Sequence, residues 1–188
     1  MNSLRSRYPK KRNGGSFLSW FWYFLFYSFL GFLLEVIFAR LAGENPHRKC
    51  LRILPLCPVY GFGACSIAGA AGEFSSPVVI FFLGAVLATA WEYIMAAFYE
   101  DVLGVAFWNY SGVPFNIHGR VCLPFSIAWG VLSVPLVMWV HPWAAGLNFS
   151  PPLFVTGLML CALVLDVLIS CALLLRSGTR DCLDWGAK

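Results

Sequence analysis

The stretch FLSWFWYFLFYSFLGFLLEVIFA, residues 17–39, is apolar and aromatic throughout except for a single acid, Glu35. About 20 such residues in a helix cross the hydrocarbon core of a bilayer. Trp20, Trp22 and Tyr23 lie toward its N-terminal end, where aromatic rings favour the membrane interface. A secretory leader would share the basic approach to this segment. The apolar run is too long for one, however, and Glu35 interrupts it ahead of a weak small-residue site near Ala42. It reads as a retained spanning helix, and it sets the fold class: an integral membrane protein.

Working outward, four further apolar stretches follow, at residues 54–72, 77–99, 124–140 and 152–175. The second begins with Pro55 and Pro58, tolerated at a helix start. Gly61, Cys65 and Gly69 recur every fourth residue within it, as do Ala64, Ala68 and Gly72. Small stripes of this kind let helix backbones approach closely in a membrane. The fourth stretch carries Pro135, which predicts a kink or a tilted path. The expected architecture is an all-α polytopic membrane helix bundle of about five transmembrane helices. A basic tail (1–16) precedes the bundle (17–175), and a short C-terminal tail (176–188) follows it.

Composition agrees. Of 188 residues, 60% are hydrophobic and 12% charged, against about 25% charged in a soluble domain. A disordered chain, a coiled coil and a nucleic-acid binder are excluded, so the bilayer is the first partner. The aromatic share of 17% suits a chain with many interfacial positions. Arg5, Arg7, Lys10, Lys11 and Arg12 crowd the N-terminal tail. Arg40, Arg48, Lys49, Arg52, Arg120, Arg176, Arg180 and Lys188 fall on the side that holds both long connections and the C-terminus. The positive-inside rule places that second side in the cytoplasm, while the basic tail pulls the other way.

The cysteines are Cys50, Cys57, Cys65, Cys122, Cys161, Cys171 and Cys182. They contain no C-x-x-C pair, so no zinc site is assigned. Their odd number and spread do not read as a disulfide framework.

Charged side chains within a span cost about 2.5–3.5 kcal/mol, so each asks for a reason. Glu35, Glu92 and Asp166 sit on the first, third and fifth predicted helices, about 6, 10 and 14 Å from the long-loop end at 1.5 Å per residue. All three are biased toward the half of the bilayer that faces Arg48, Arg52 and Arg120. Either the glutamates accept bonds from loop arginines or backbone N–H groups and lock the loops, or they line a polar cavity for a cation, a proton or a substrate group. Asp166, alone in an apolar helix, is the weaker candidate.

From Val102 to Gly119 the second long connection contains no Asp, Glu, Lys or Arg. An apolar, Gly/Pro-punctuated loop of this kind is tolerated at membrane depth where protein covers it. Its polar residues, Asn109, Tyr110, Ser111, Asn116, His118 and Arg120, either bind a ligand or satisfy the loop's own backbone. His118 has no Cys or His partner at metal-ligand spacing, so neither metal nor cofactor is assigned.

A weak repeat runs through the chain. Glu35, then Arg52, then LPLCPVYGFG (residues 54–63) parallels Glu92, then Arg120, then VCLPFSIAWG (residues 121–130). Two such hairpins would be related by an axis along the membrane normal, as in transporters built from parallel repeats. Each Glu would then sit near an equivalent Arg, and Tyr60, in the string that opens the second helix, is a weaker site candidate. The last helix would lie outside the repeat.

Five segments also carry a family resemblance: SFLGFLLE (28–35), LCPVYGFG (56–63), WNYS (108–111), FNIHGRVC (115–122) and SIAWG (126–130). Over residues 17–145 the chain resembles the ABC-transporter permease family of the CmpB type, with the Cys-Pro-Val-Tyr-Gly-Phe-Gly string the most specific part. The resemblance implies a small multipass bacterial protein of the plasma membrane and names no substrate. The chain departs from the family pattern at Asn109, where Asp is usual, and at His118, where Asn is usual. The Asn-Arg-Gly usual in the first loop is absent.

The function expected is a transport permease component. The chain has no G-x-x-x-x-G-K-[ST] loop, so an ATPase would be a separate subunit docking on the long loops. Substrate would pass between the first, third and fourth helices, with Glu35, Glu92 and Arg120 as polar lining and self-association open. The alternatives are a non-transporting scaffold or regulator, or a membrane enzyme using Glu35 and Glu92 as acid and base. No H-E-x-x-H or G-x-S-x-G motif supports the enzyme, and the expectation is that the chain is not one.

Overall fold

The computed structural model describes residues 17–43 and 50–183. The basic tail, Arg48, Lys49 and Lys188 lie outside the described residues.

Helix α1, Phe17–Leu41, has 25 residues, about 37 Å of helix and more than enough to span the ~30 Å core. Helix α2, Pro58–Ala71, has 14. It starts later than the apolar run suggested, because residues 50–57 form an irregular lead-in, and at about 21 Å it is shorter than the core. Helix α3, Pro77–Ala97, runs on through a π-helical turn, Phe98–Val102. A hairpin of two short antiparallel strands, β1 (Asn116–Ile117) and β2 (Val121–Cys122), then leads into α4, Leu123–Pro135.

At Pro135 the chain does not stop. A π-helical turn, Leu136–Val140, carries it into α5, His141–Gly146, so the rod continues past the end expected at residue 140. Proline lacks the N–H of the regular ladder, and a wider turn is one way a helix absorbs that loss. Helix α6, Leu153–Ser177, ends at Gly178, whose positive φ of 67° supplies the left-handed cap. Among the described residues, four rods are long and apolar enough to cross a membrane: Phe17–Leu41, Pro77–Val102, Leu123–Gly146 and Leu153–Ser177.

The bundle is built on two antiparallel hairpins, α1–α2 and α3–α4, joined through α2 and α3. Small residues set the spacing within each. A Cβ at Gly31 would overlap the Tyr60 ring, and one at Gly61 would overlap Ser28 Oγ. In the second hairpin a Cβ at Gly84 would strike Ser133, and one at Gly130 would strike Phe81. Gly61, Cys65 and Gly69 all turn toward α1: Cys65 Sγ approaches the Trp20 carbonyl at 4.0 Å, and Gly69 lies beneath the Trp20 ring.

Helix α6 attaches differently. Its buried residues are Thr156, Asp166, Ser170 and Leu174, a mostly polar stripe. Trp22 Nε1 donates to Thr156 Oγ1 at 3.1 Å. Both Asp166 oxygens accept backbone N–H bonds from the lead-in to α2, from Ile53 at 3.0 Å and from Leu54 at 2.6 Å. Ser170 Oγ takes the Arg52 N–H at 2.9 Å. Lipid is as apolar as a leucine face, so polar contacts of this kind hold helices together within it.

The described parts of both long connections and the C-terminal turn Arg180–Leu183 share one face. Tyr99, Leu103, Val105, Leu174 and Leu183 form its apolar core. Arg180 donates to the Phe107 carbonyl at 2.6 Å, and Arg52 to the Leu183 carbonyl at 3.4 Å. One expectation about cysteine is corrected here. Cys50 and Cys57 are joined by a disulfide, with Cα atoms 5.2 Å apart. The lead-in doubles back between them, with a Leu56 N–H to Leu54 carbonyl bond of 2.8 Å, bringing together thiols that sequence spacing alone did not pair.

Candidate functional site: a cleft between two hairpins

A cleft of about 1310 Å³ opens between α1 and α4, floored by α2 and α3. Its α1 wall carries Tyr27, Gly31, Glu35 and Phe38, spaced three or four apart and so on one helical face. The wall formed by α4 and the π turn after it carries Phe125, Trp129, Leu132 and Leu136 on the same spacing. One end is bridged by Tyr27 Oη and His141 Nδ1 at 2.7 Å. The other is bridged by the Phe38 and Phe125 rings, edge to face at 6.3 Å.

Two carboxylates face this space. Glu35 Oε1 accepts the Tyr60 hydroxyl at 2.6 Å. Glu92, 4% exposed, uses both oxygens: Tyr110 Oη donates to Oε1 at 3.0 Å and Trp129 Nε1 to Oε2 at 2.9 Å. The two donors from the helices meet, with the Tyr60 and Trp129 rings edge to face at 5.5 Å. Tyr110 reaches in from the uncharged loop and stacks on Phe125 at 4.8 Å. Burial, and then the nearby Glu92 charge, push its phenol above the ordinary value, so it remains a donor.

The repeat therefore has a chemical form that its Glu–Arg order did not reveal. In each hairpin the first helix supplies a glutamate. The second supplies an aromatic donor followed by a glycine, Tyr60-Gly61 in one and Trp129-Gly130 in the other. The aromatic residue satisfies the carboxylate while the glycine lets the helices close. Trp129 was not among the expected site residues. Its place before Gly130, matching Tyr60 before Gly61, was the signal.

Arg120 is elsewhere, which corrects its expected place beside Glu92. Its Nε meets Glu100 Oε2 and its Nη2 meets Asp101 Oδ1, both at 2.6 Å, and the guanidinium lies 5.4 Å from the Tyr93 ring centroid. Glu100 and Asp101 stand on the π turn ending α3, so the cation gains two carboxylates without entering the apolar zone. Arg52 likewise serves the loop face, and Asp166 pins the α2 lead-in rather than lining the cleft.

The loop polar residues divide. Asn109 lines the cleft, but its Oδ1 accepts from Ser111 N at 2.8 Å and Ser111 Oγ at 2.6 Å, closing a local turn. Asn116 donates to the Val113 carbonyl at 2.8 Å and accepts Gly119 N–H at 3.1 Å. His118 and Gly119 form the β-hairpin turn with φ of 54° and 69°, the signs a primed turn requires. His118 Nδ1 lies 2.9 Å from Tyr93 Oη. At Gly119 a side chain would also strike Asn109 and Ser111.

Four long apolar rods, hairpins closed by glycine and a cleft holding two intramembrane glutamates define a polytopic helical membrane protein, embedded in the bilayer. Residues 22–173 match the family described as "Putative ABC-transporter type IV", and the chain belongs to it, a membrane protein of the transport class. Comparison with curated proteins and with solved structures gives no match.

Proposed function

We propose that the chain is the membrane-embedded permease component of a solute transporter of the plasma membrane, without catalytic activity of its own and driven by an ATPase on a separate chain. The observation that carries this reading is the cleft with Glu35 and Glu92 facing it from two different hairpins. Polar groups held between repeated units within the membrane suit alternating exposure of a bound solute as one unit rocks against the other. The ATPase would dock on the long-loop face, which places that face and the C-terminus in the cytoplasm, in keeping with eight Lys/Arg there against five in the tail. A second copy of the chain would complete the pathway.

The scaffold alternative draws on a specific observation too. Both Glu92 oxygens are occupied by protein donors, as in a purely structural lock. Isolation of the tagged chain in mild detergent separates the readings. An ATPase subunit in the complex, with ATP-dependent solute flux after reconstitution, is the expected result. A stable complex without an ATPase, or flux by the chain alone without ATP, overturns the proposal.

A further inference from the structure

We infer that the cleft binds a lipophilic organic cation, a positively charged centre on an apolar body, with the charge held at Glu35. This deepens the transport reading by naming a ligand class, and it rests on that reading only for the idea that the ligand is moved.

The charge balance comes first. Among the described lining residues the Asp, Glu, Lys and Arg side chains are Glu35, Glu92, Arg180 and Asp181. Arg180 lies on the long-loop side, donating to the Phe107 carbonyl at 2.6 Å and adjacent in sequence to Asp181. Arg120 is held by Glu100 and Asp101. No cation among the described residues answers the two glutamates where they face the cleft.

The second observation is an open acceptor. Glu92 has a protein donor on each oxygen, whereas among the described residues Glu35 receives one bond, on Oε1. Its Oε2 remains for a ligand. A charge in a poorly solvated site is costly unless it is paired, so an incoming cation gains more here than in water.

The walls select the rest of the molecule. Leu34 and Leu132 line the cleft and are 43% and 44% exposed, which leaves a lateral opening toward lipid between α1 and α4. A ligand arriving by that route must partition into the bilayer. Trp108 and Phe125 also line the space, and aromatic faces attract desolvated cations. The same chemistry is offered by a free amphiphilic cation and by the ammonium head of an amine lipid.

The test is equilibrium binding of labelled tetraphenylphosphonium to the full chain in phosphatidylglycerol nanodiscs, with empty discs subtracted. Tetraphenylborate, of the same shape and opposite charge, serves as control. Saturable binding of the cation alone is expected, weakened at least about tenfold in Glu35→Gln. Leu132→Trp, which fills the apolar wall without touching a carboxylate, keeps the question answerable if Glu35→Gln fails to fold; it too should weaken binding. Adding phosphatidylethanolamine lowers the apparent affinity if an amine lipid is the natural occupant and leaves it unchanged if the ligand is a free solute. Equal binding of tetraphenylborate, or affinity within about twofold of the parent in both variants, overturns the inference. Neither result bears on whether an ATPase co-purifies, so the two proposals fail separately.

Discussion

Tyr60 and Trp129 touch edge to face at 5.5 Å, and each donates a hydrogen bond to the glutamate of its own hairpin. The donors that satisfy the two glutamates therefore touch each other across the two hairpins.

The two donors should not be equal in stability. Glu92 is buried and Glu35 half-buried, so losing a donor leaves the less hydrated carboxylate worse off. Trp129→Phe is expected to destabilise the protein by about 1–2 kcal/mol, and Tyr60→Phe by about half as much. Unfolding in graded denaturing detergent measures both. A larger loss for Tyr60→Phe would contradict the assignment.

Asp166 holds the backbone of the lead-in. Asp166→Ala orphans the Ile53 and Leu54 N–H groups and is expected to cost about 2–4 kcal/mol. Asp166→Asn keeps an acceptor oxygen and should cost about half. Limited proteolysis should then cut residues 50–57 faster in the Ala variant. Unchanged cleavage would show that α6 does not pin this segment.

His118 tests the hairpin turn. Its φ of 54° is tolerated by Asn and disfavoured by β-branched residues. His118→Val should lower stability by about 1–2 kcal/mol, whereas His118→Asn should stay near the parent, trading the contact with Tyr93 for an easier backbone. Thermal melts of the detergent-solubilised variants compare them.

Cys50 and Cys57 report on orientation. A cytoplasmic long-loop face lies in a reducing compartment, so the half-buried Cys50 thiol should be alkylated by a membrane-permeant reagent in intact cells, and Cys50 and Cys57 should close to the disulfide after oxidation of the purified protein. Resistance in cells that is relieved by a reductant would place this face outside and remove it as an ATPase dock.

The α3–α4 hairpin shows how far the residues alone could be read. Glu92 stands out in an apolar run because its burial is costly, and periodicity places it on a helix without further information. The order Glu, Arg, Pro, Gly suggested Arg120 as its partner. That step failed because one-dimensional order does not encode reach: Glu100 and Asp101, at the end of the same helix, lie closer to the guanidinium.

Length, hydropathy and small-residue spacing by themselves determined a membrane-spanning helical chain, the positions of its long rods and the acids that needed explaining, since the cost of charge and backbone in lipid is local and additive. Only the tertiary structure decided which groups satisfy those acids, that Cys50 meets Cys57, that Asp166 clamps a distant loop, and that α1 and α4 stand apart around a cleft. Hydrogen bonds act over about 3 Å, and groups that are far apart in sequence meet at that distance only once the helices have packed.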